Sequence, residues 1–178
     1  SSTALWSFGG QIASQRFGWG PAGTGMLWTC IGAGGIAGAW AGRLVARFGV
    51  DRVHWTFLGL MAAGILAVGL GPEIPSIALA GGAFFGAAYV MLTGVYLVWG
   101  ITALPDRPAT GLMIGFLTIA VGQTAGAPIF GLVMAGPGLE AAAIGFAVVA
   151  LLAGIFRSRA AAQPVSTEPG RHRSSKTA

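Results

Sequence analysis

Charged residues are scarce in this sequence, and their scarcity excludes most soluble folds. Asp, Glu, Lys and Arg together make up 8% of the 178 residues, while 54% of the residues are hydrophobic. A typical soluble domain contains about 25% charged residues, because its surface must be polar. The composition therefore indicates a membrane protein with several transmembrane helices.

Acidic residues and cysteine are rarer still, and each absence removes a class of function. Cys30 is the single cysteine, so no intrachain disulfide can form. No Asp, Glu, Lys or Arg falls in the interior of a predicted span, where an ionisable side chain would be the usual sign of an intramembrane site. The sequence has no His/Glu metal-ligand pattern and no nucleophile motif. We therefore expect no enzyme activity, no metal and no cofactor.

The positions of the basic residues do not indicate a nucleic-acid partner. The ten Lys and Arg residues are concentrated in loops and in the tail, whereas nucleic-acid-binding proteins spread them over a face. We expect no nucleic-acid partner. His54, beside Trp55, stands at the start of a predicted span, where we expect an interfacial position.

The apolar runs predict an all-α bundle of about six transmembrane spans. Residues 1–15 reach roughly 22 Å at 1.5 Å per residue, less than the ~30 Å hydrocarbon core, so we expect a truncated first span. Five longer spans are predicted at residues 21–45, 53–70, 75–104, 108–135 and 138–156. The transmembrane bundle would then cover residues 1–157. Residues 158–178 are polar, basic and proline-containing, and they predict a disordered tail.

The loop charges predict an orientation. If every span crosses, Arg16 lies on one side and all other basic residues lie on the opposite side: Arg43, Arg47, Arg52, Arg107, Arg157, Arg159, Arg171, Arg173 and Lys176. The positive-inside rule assigns the second group to the cytoplasm. We therefore expect a multi-pass protein of a cell membrane, such as a bacterial inner membrane, with a cytoplasmic C-terminus.

Polar residues are concentrated in a few of the predicted spans. Tyr89, Thr93 and Tyr96 recur at spacings of four and three in the fourth span, so they share one helical face. Thr118 and Gln123 lie on a similar face of the fifth span, whereas the third and sixth spans are almost purely apolar. Two interpretations remain open: helix-packing faces with polar groups that bond between helices, and the lining of a transport pathway. The candidate pathway residues are Gln11, Tyr89, Thr93, Tyr96, Thr118 and Gln123.

The loop GRLVARFGVDR, from Gly42 to Arg52, resembles a loop of the major facilitator superfamily. That family's signature is Gly, three residues, Asp, Arg, any residue, Gly and then basic residues. Gly42, Arg47 and Gly49 match it, and Arg52 supplies a trailing base. Ala46 replaces the acid, which leaves Asp51 as the nearest acidic partner. The segments SQRFGWGPAGTGMLW and GQTAGAPIFG are also similar to segments of the family.

The resemblance implies that this chain is the C-terminal six-helix half of such a transporter, with spans seven to twelve of the family. It implies secondary active transport of a small solute by alternating access, in a lipid bilayer, together with a missing N-terminal half. In the family the seventh, eighth, tenth and eleventh spans face the central cavity, and the ninth and twelfth lie outside. The alternative is a small homo-oligomeric membrane channel or scaffold with no missing half.

Overall fold

The chain folds into a bundle of helices. The computed structural model describes residues 1–155, and the predicted tail at 158–178 lies outside them. Within the described residues the chain has seven α-helices and no strand. They are α1 (Thr3–Phe17), α2 (Pro21–Gly35), α3 (Ala41–Phe48), α4 (Val50–Gly69), α5 (Pro75–Ala103), α6 (Pro108–Ala135) and α7 (Leu139–Ala153). A short 3₁₀ segment, Ile36–Trp40, joins α2 to α3.

Proline and glycine set several of the helix boundaries. Pro21, Pro75 and Pro108 each occupy the first turn of a helix, where the missing N–H costs no hydrogen bond. Gly49 alone connects α3 to α4, with a φ of 82°. Residues with a side chain rarely adopt that backbone conformation, so the sharp turn between these helices depends on glycine.

Three of the helices are long and apolar enough to cross a membrane. They are α4 with 20 residues, α5 with 29 and α6 with 28, and α7 is a shorter apolar helix. The prediction of an all-helical chain is confirmed for the described residues, and the three long apolar helices are compatible with a membrane protein. The prediction of about six spans stays a prediction for the other helices. The structure divides the predicted span at 21–45 into α2, the 3₁₀ segment and the start of α3.

Two glycines around the 3₁₀ segment lie against α5. A Cβ atom at Gly34 would overlap the backbone of Ala83, and one at Gly38 would overlap Val90. The two helix backbones therefore approach at a distance that only glycine permits. The chain follows α5 through this region in the tighter 3₁₀ conformation, which uses i→i+3 hydrogen bonds.

Helix α5 is the centre of the bundle. It packs against α2, the 3₁₀ segment, α3, α4 and α6. Its buried face carries Phe85, which is fully enclosed together with Phe130 of α6 and Leu27 of α2. The apolar core therefore lies around α5, and the outer surfaces of α6 and α7 carry exposed apolar side chains.

Contacts between helix ends show which ends of α1, α4 and α7 lie together. Arg16, at the end of α1, donates a hydrogen bond from Nη2 to the carbonyl of Gly71 just after α4 (2.7 Å). Gly154, at the end of α7, packs against Trp55 at the start of α4. The arginine-rich α3–α4 turn and the end of α7 therefore share one end of the bundle, and Arg16 lies at the other.

The helices fall into two groups of three units, and most packed pairs of units have a counterpart when the two groups are exchanged. The first group is α1, the α2–α3 unit and α4, and the second is α5, α6 and α7. The contact of α1 with α6 corresponds to the contact of the α2–α3 unit with α5. The contact of α4 with α7 corresponds to itself. The exception is the α1–α4 contact, whose counterpart is not among the closely packed pairs in residues 1–155.

Candidate functional site

A cavity of about 600 Å³ lies between α4, α5, α6 and α7. We call it the central cavity. Most of its wall is apolar, with Leu58 and Met61 of α4 opposite Leu92 of α5. Polar side chains stand at a few points on the wall: His54, Tyr89, Thr93, Tyr96, Thr118 and Gln123, with Ser1 and Ser2 at the beginning of α1. Such a mixture of apolar wall and few polar groups is typical of small-molecule sites.

Five of the six candidate pathway residues line this cavity. Tyr89, Thr93 and Tyr96 come from α5, and Thr118 and Gln123 come from α6. The structure thus brings together residues that the sequence places on two separate helical faces. Their role in transport stays a prediction.

Gln11, the sixth candidate, does not line the central cavity. It lies exposed on the outer face of α1. Ser7 and Ser14 are also exposed and stand one turn before it and one turn after it. These three residues form a polar stripe on the surface of the bundle, which we call the α1 stripe.

Gln123 and Tyr89 form the polar centre of the wall. The Nε2 atom of Gln123 donates a hydrogen bond to the Tyr89 hydroxyl (3.0 Å) and joins α6 to α5. The Tyr89 ring stacks on Trp6 of α1, with ring centroids 5.0 Å apart. Trp6 in turn meets Trp28 of α2 edge to face at 5.7 Å. Trp6, itself packed against Trp28, therefore holds Tyr89 in place. Gln123 keeps its carbonyl oxygen and its second N–H for hydrogen bonds to a solute.

The threonine hydroxyls on the wall bond within their own helices. Thr93 donates to the carbonyl of Tyr89 and Thr118 donates to the carbonyl of Ile114, each at 2.8 Å. These bonds occupy the hydroxyl protons but leave oxygen lone pairs. Toward the cavity the two threonines can therefore only accept hydrogen bonds in this arrangement.

His54 is the residue that the sequence analysis placed wrongly. It is 2% exposed and lines the cavity, although we expected an interfacial position. Its Nε2 atom lies 3.2 Å from the Tyr96 hydroxyl, and its ring centroid lies 4.9 Å from that of Trp99. A signal was present: His54, Leu58 and Met61 share one helical face by spacing, and the structure buries all three.

The spans around this cavity differ from the four that the family resemblance places around its central cavity. Val149 and Ala153 of α7 line it together with α4, while α2 contributes no lining residue. The reason is the close glycine contact between α2 and α5. A Cβ atom at Gly86 would overlap the carbonyl of Ile31, so no space remains between these helices.

The predicted loop motif is mostly helical. Gly42 and Arg47 lie in α3, Gly49 forms the turn, and Asp51 and Arg52 lie in the first turn of α4. The guanidinium carbon of Arg47 lies 5.4 Å from the centroid of the Phe48 ring. The motif residues therefore stand on both sides of the α3–α4 turn, at the arginine-rich end of the bundle.

Neither a metal nor a relative identifies the site. Within residues 1–155 no group of His, Cys, Asp and Glu is arranged to hold a metal ion. No family model, no curated protein and no solved structure matches the chain.

Proposed function

We propose that this chain is the C-terminal six-helix half of a major facilitator superfamily transporter, which moves a small solute by alternating access. The resemblance of the loop from Gly42 to Arg52 supports the family. The observation that supports a solute pathway is the central cavity, whose lining spans differ from those of the family. It gathers Tyr89, Thr93 and Gln123 between helices that are long enough to cross a membrane. Polar groups that face a cavity at this depth are typical of transport pathways, because lipid offers them no partner.

The helix pairing supports the family. Each half of such a transporter is built from two three-helix repeats of inverted topology. If α1 is exchanged with α5, the α2–α3 unit with α6 and α4 with α7, nearly every packed pair in residues 1–155 becomes another packed pair.

The charges at the two ends support the orientation. Arg43, Arg47, Arg52 and Arg107 belong to the same end of the bundle, and Arg16 belongs to the other. We propose that the arginine-rich end faces the cytoplasm of a bacterial cell.

The chemistry of the wall favours an uncharged solute. Among the described residues that line the cavity, none is Asp, Glu, Lys or Arg. The ionisable side chains there are the His54 ring and the two tyrosine hydroxyls. A charged solute would lose its hydration without gaining an ion pair with a side chain, which is strongly unfavourable in a site of low polarity.

The spacing of the polar groups suggests how such a solute is held. Tyr89 and Tyr96 are two helical turns apart, or about 10 Å at 1.5 Å per residue. Gln123 adds an amide at the first position, and His54 adds an imidazole at the second. We propose that the solute is largely apolar, with a hydrogen-bonding group toward each end.

The α1 stripe indicates that something covers α1. Ser7, Gln11 and Ser14 face outward, where lipid would leave their polar groups without partners. We propose that the missing N-terminal half covers them. In the alternative, a homo-oligomeric channel or scaffold, a second copy of the chain would cover the same face.

An uptake experiment with the complete gene tests the proposal. Cells that express it should accumulate at least one solute from a panel of uncharged compounds, and Gln123→Leu and Tyr89→Phe should each reduce that uptake severalfold. Ser76→Ala is the matched control, because Ser76 is exposed at the start of α5 and does not line the cavity. Membrane insertion should be normal in all three variants. Full uptake in both cavity variants would contradict the proposed pathway.

A further inference from the structure

A second hollow, away from the central cavity, lies at the arginine-rich end of the bundle. Its volume is about 400 Å³, and it is bounded by the 3₁₀ segment, α3, α4 and α5. We call it the α3 groove. Met91 of α5 is buried at its base, and Phe57 of α4 forms one side.

One edge of the groove is positively charged. Arg43 and Arg47 both line it, and both side chains are exposed. They are four residues apart on α3, so they stand on one face with their Cβ atoms about 5–6 Å apart. Guanidinium groups at two such neighbouring positions can bind one phosphate together, each with a fork of N–H donors.

The rest of the groove is apolar and open to the surroundings. Trp40 is 48% exposed and Phe48 is 46% exposed, although both are large aromatic residues. Leu44 stands between the two arginines in the sequence and lines the same groove. An inorganic phosphate or a sugar phosphate would leave these apolar walls in contact with water, which is unfavourable.

The arginines of the α3 groove and its apolar end lie apart along the chain. Ala37 lies at the far end of the groove, and Arg47 comes ten residues later, roughly 15 Å away at 1.5 Å per residue. If α4 and α5 cross a membrane, the two arginines stand closer to the lipid headgroups than Trp40 does.

We propose that the α3 groove binds one anionic phospholipid, whose phosphate is held by Arg43 and Arg47 and whose acyl chain lies against Trp40, Leu44 and Phe57. The charge of the edge selects an anionic headgroup, and the apolar wall selects a lipid over a soluble phosphate. The site depends on the membrane location of α4 and α5. It does not depend on transport by the central cavity.

Native mass spectrometry of the purified full-length protein in a neutral detergent tests the site. With phosphatidylglycerol we expect one tightly retained lipid, and with phosphatidylcholine of the same acyl chains we expect none. The double variant Arg43→Gln/Arg47→Gln should weaken phosphatidylglycerol binding about thirtyfold, as two basic residues beside an anionic headgroup predict. Arg43→Lys/Arg47→Lys should bind more tightly than the glutamine variant, because it keeps both charges, and more weakly than the native protein, because it loses the forked N–H donors.

The matched control removes the same charge from the same end of the bundle. Arg52→Gln/Arg107→Gln changes two arginines that do not line the groove, and it should leave the retained lipid in place. An equal loss in this control would overturn the proposal, since it would show a general attraction to the basic end.

A third variant separates a lipid site from an anion site. Trp40→Gln keeps both charges. It should weaken the binding of phosphatidylglycerol severalfold and leave the binding of glycerol phosphate unchanged. If glycerol phosphate alone displaces the lipid at equal concentration, or if Trp40→Gln has no effect, the lipid assignment is wrong. A thermal melting curve followed by circular dichroism establishes whether each variant is folded. If the arginine variants are not folded, the effect of Trp40→Gln on lipid binding decides whether the proposed site is correct.

Discussion

The Nε2 atom of His54 lies 3.2 Å from the hydroxyl oxygen of Tyr96, and this hydrogen bond joins the start of α4 to α5 on the wall of the central cavity. The imidazole is almost fully buried and also contacts the ring of Trp99. A polar group that is buried in this way is costly to leave without a partner. The pair therefore has a structural role in addition to any contact with a solute.

A double-mutant cycle measures that role. His54→Leu and Tyr96→Phe should each lower the free energy of unfolding by about 1–3 kcal/mol, because each leaves one group without its hydrogen bond. The double variant should lose less than the sum, by about 0.5 kcal/mol or more. Unfolding in detergent, followed by circular dichroism, provides the values. His54→Leu combined with Tyr89→Phe is the control and should be additive, because Tyr89 bonds Gln123 instead. An additive His54/Tyr96 pair would show that the two groups do not stabilise each other.

The glycine contact between α2 and α5 gives a second prediction. Gly86→Ala places a Cβ atom on the backbone of Ile31 and forces the two helices apart, at a cost of about 1–3 kcal/mol in stability. Gly145→Ala, at an exposed position of α7 where no atom lies within 4 Å of the new Cβ, should cost nothing measurable. The midpoint of thermal unfolding in detergent compares the two variants. Equal midpoints would show that the close approach of α2 to α5 is not formed.

The orientation gives a third prediction, and the scarcity of cysteine makes it accessible. Cys30→Ser removes the single thiol, after which Asp106→Cys and Glu73→Cys place one new thiol in each of two loops. A membrane-impermeant maleimide added to intact cells should label the thiol at position 73 and leave the thiol at 106 unlabelled until the cells are opened. Labelling of both thiols in intact cells, or of position 106 alone, would contradict the proposed topology.

The order and ends of the helices could be predicted because they depend on local residues. Pro21, Pro75 and Pro108 mark helix starts in the sequence and begin helices in the structure. Gly49 marks the turn in the same way. The polar face of α5 could also be predicted, since helical spacing alone puts Tyr89, Thr93 and Tyr96 on one side.

The rest depends on how the helices pack, which no local pattern contains. The 3₁₀ segment between α2 and α3 follows from the approach of α5 to Gly34 and Gly38. The place of α4 and α7 on the cavity wall follows from the tight contact of α2 with α5, which moves the open space to the other side of α5. His54 was misplaced for the same reason: beside Trp55 it resembles an interfacial residue, and only the position of α5 makes its face an inner one.

The central claim is that the cavity between α5 and α6 conducts the solute, and a thiol in its wall tests that claim most directly. In the Cys30→Ser background, Thr93→Cys places a thiol between the two polar clusters of the wall. The complete transporter carrying these changes should take up its solute into proteoliposomes, lose that uptake after reaction with a methanethiosulfonate reagent, and be protected when excess solute is present during the reaction. Uptake that continues unchanged in the fully modified protein would contradict the account.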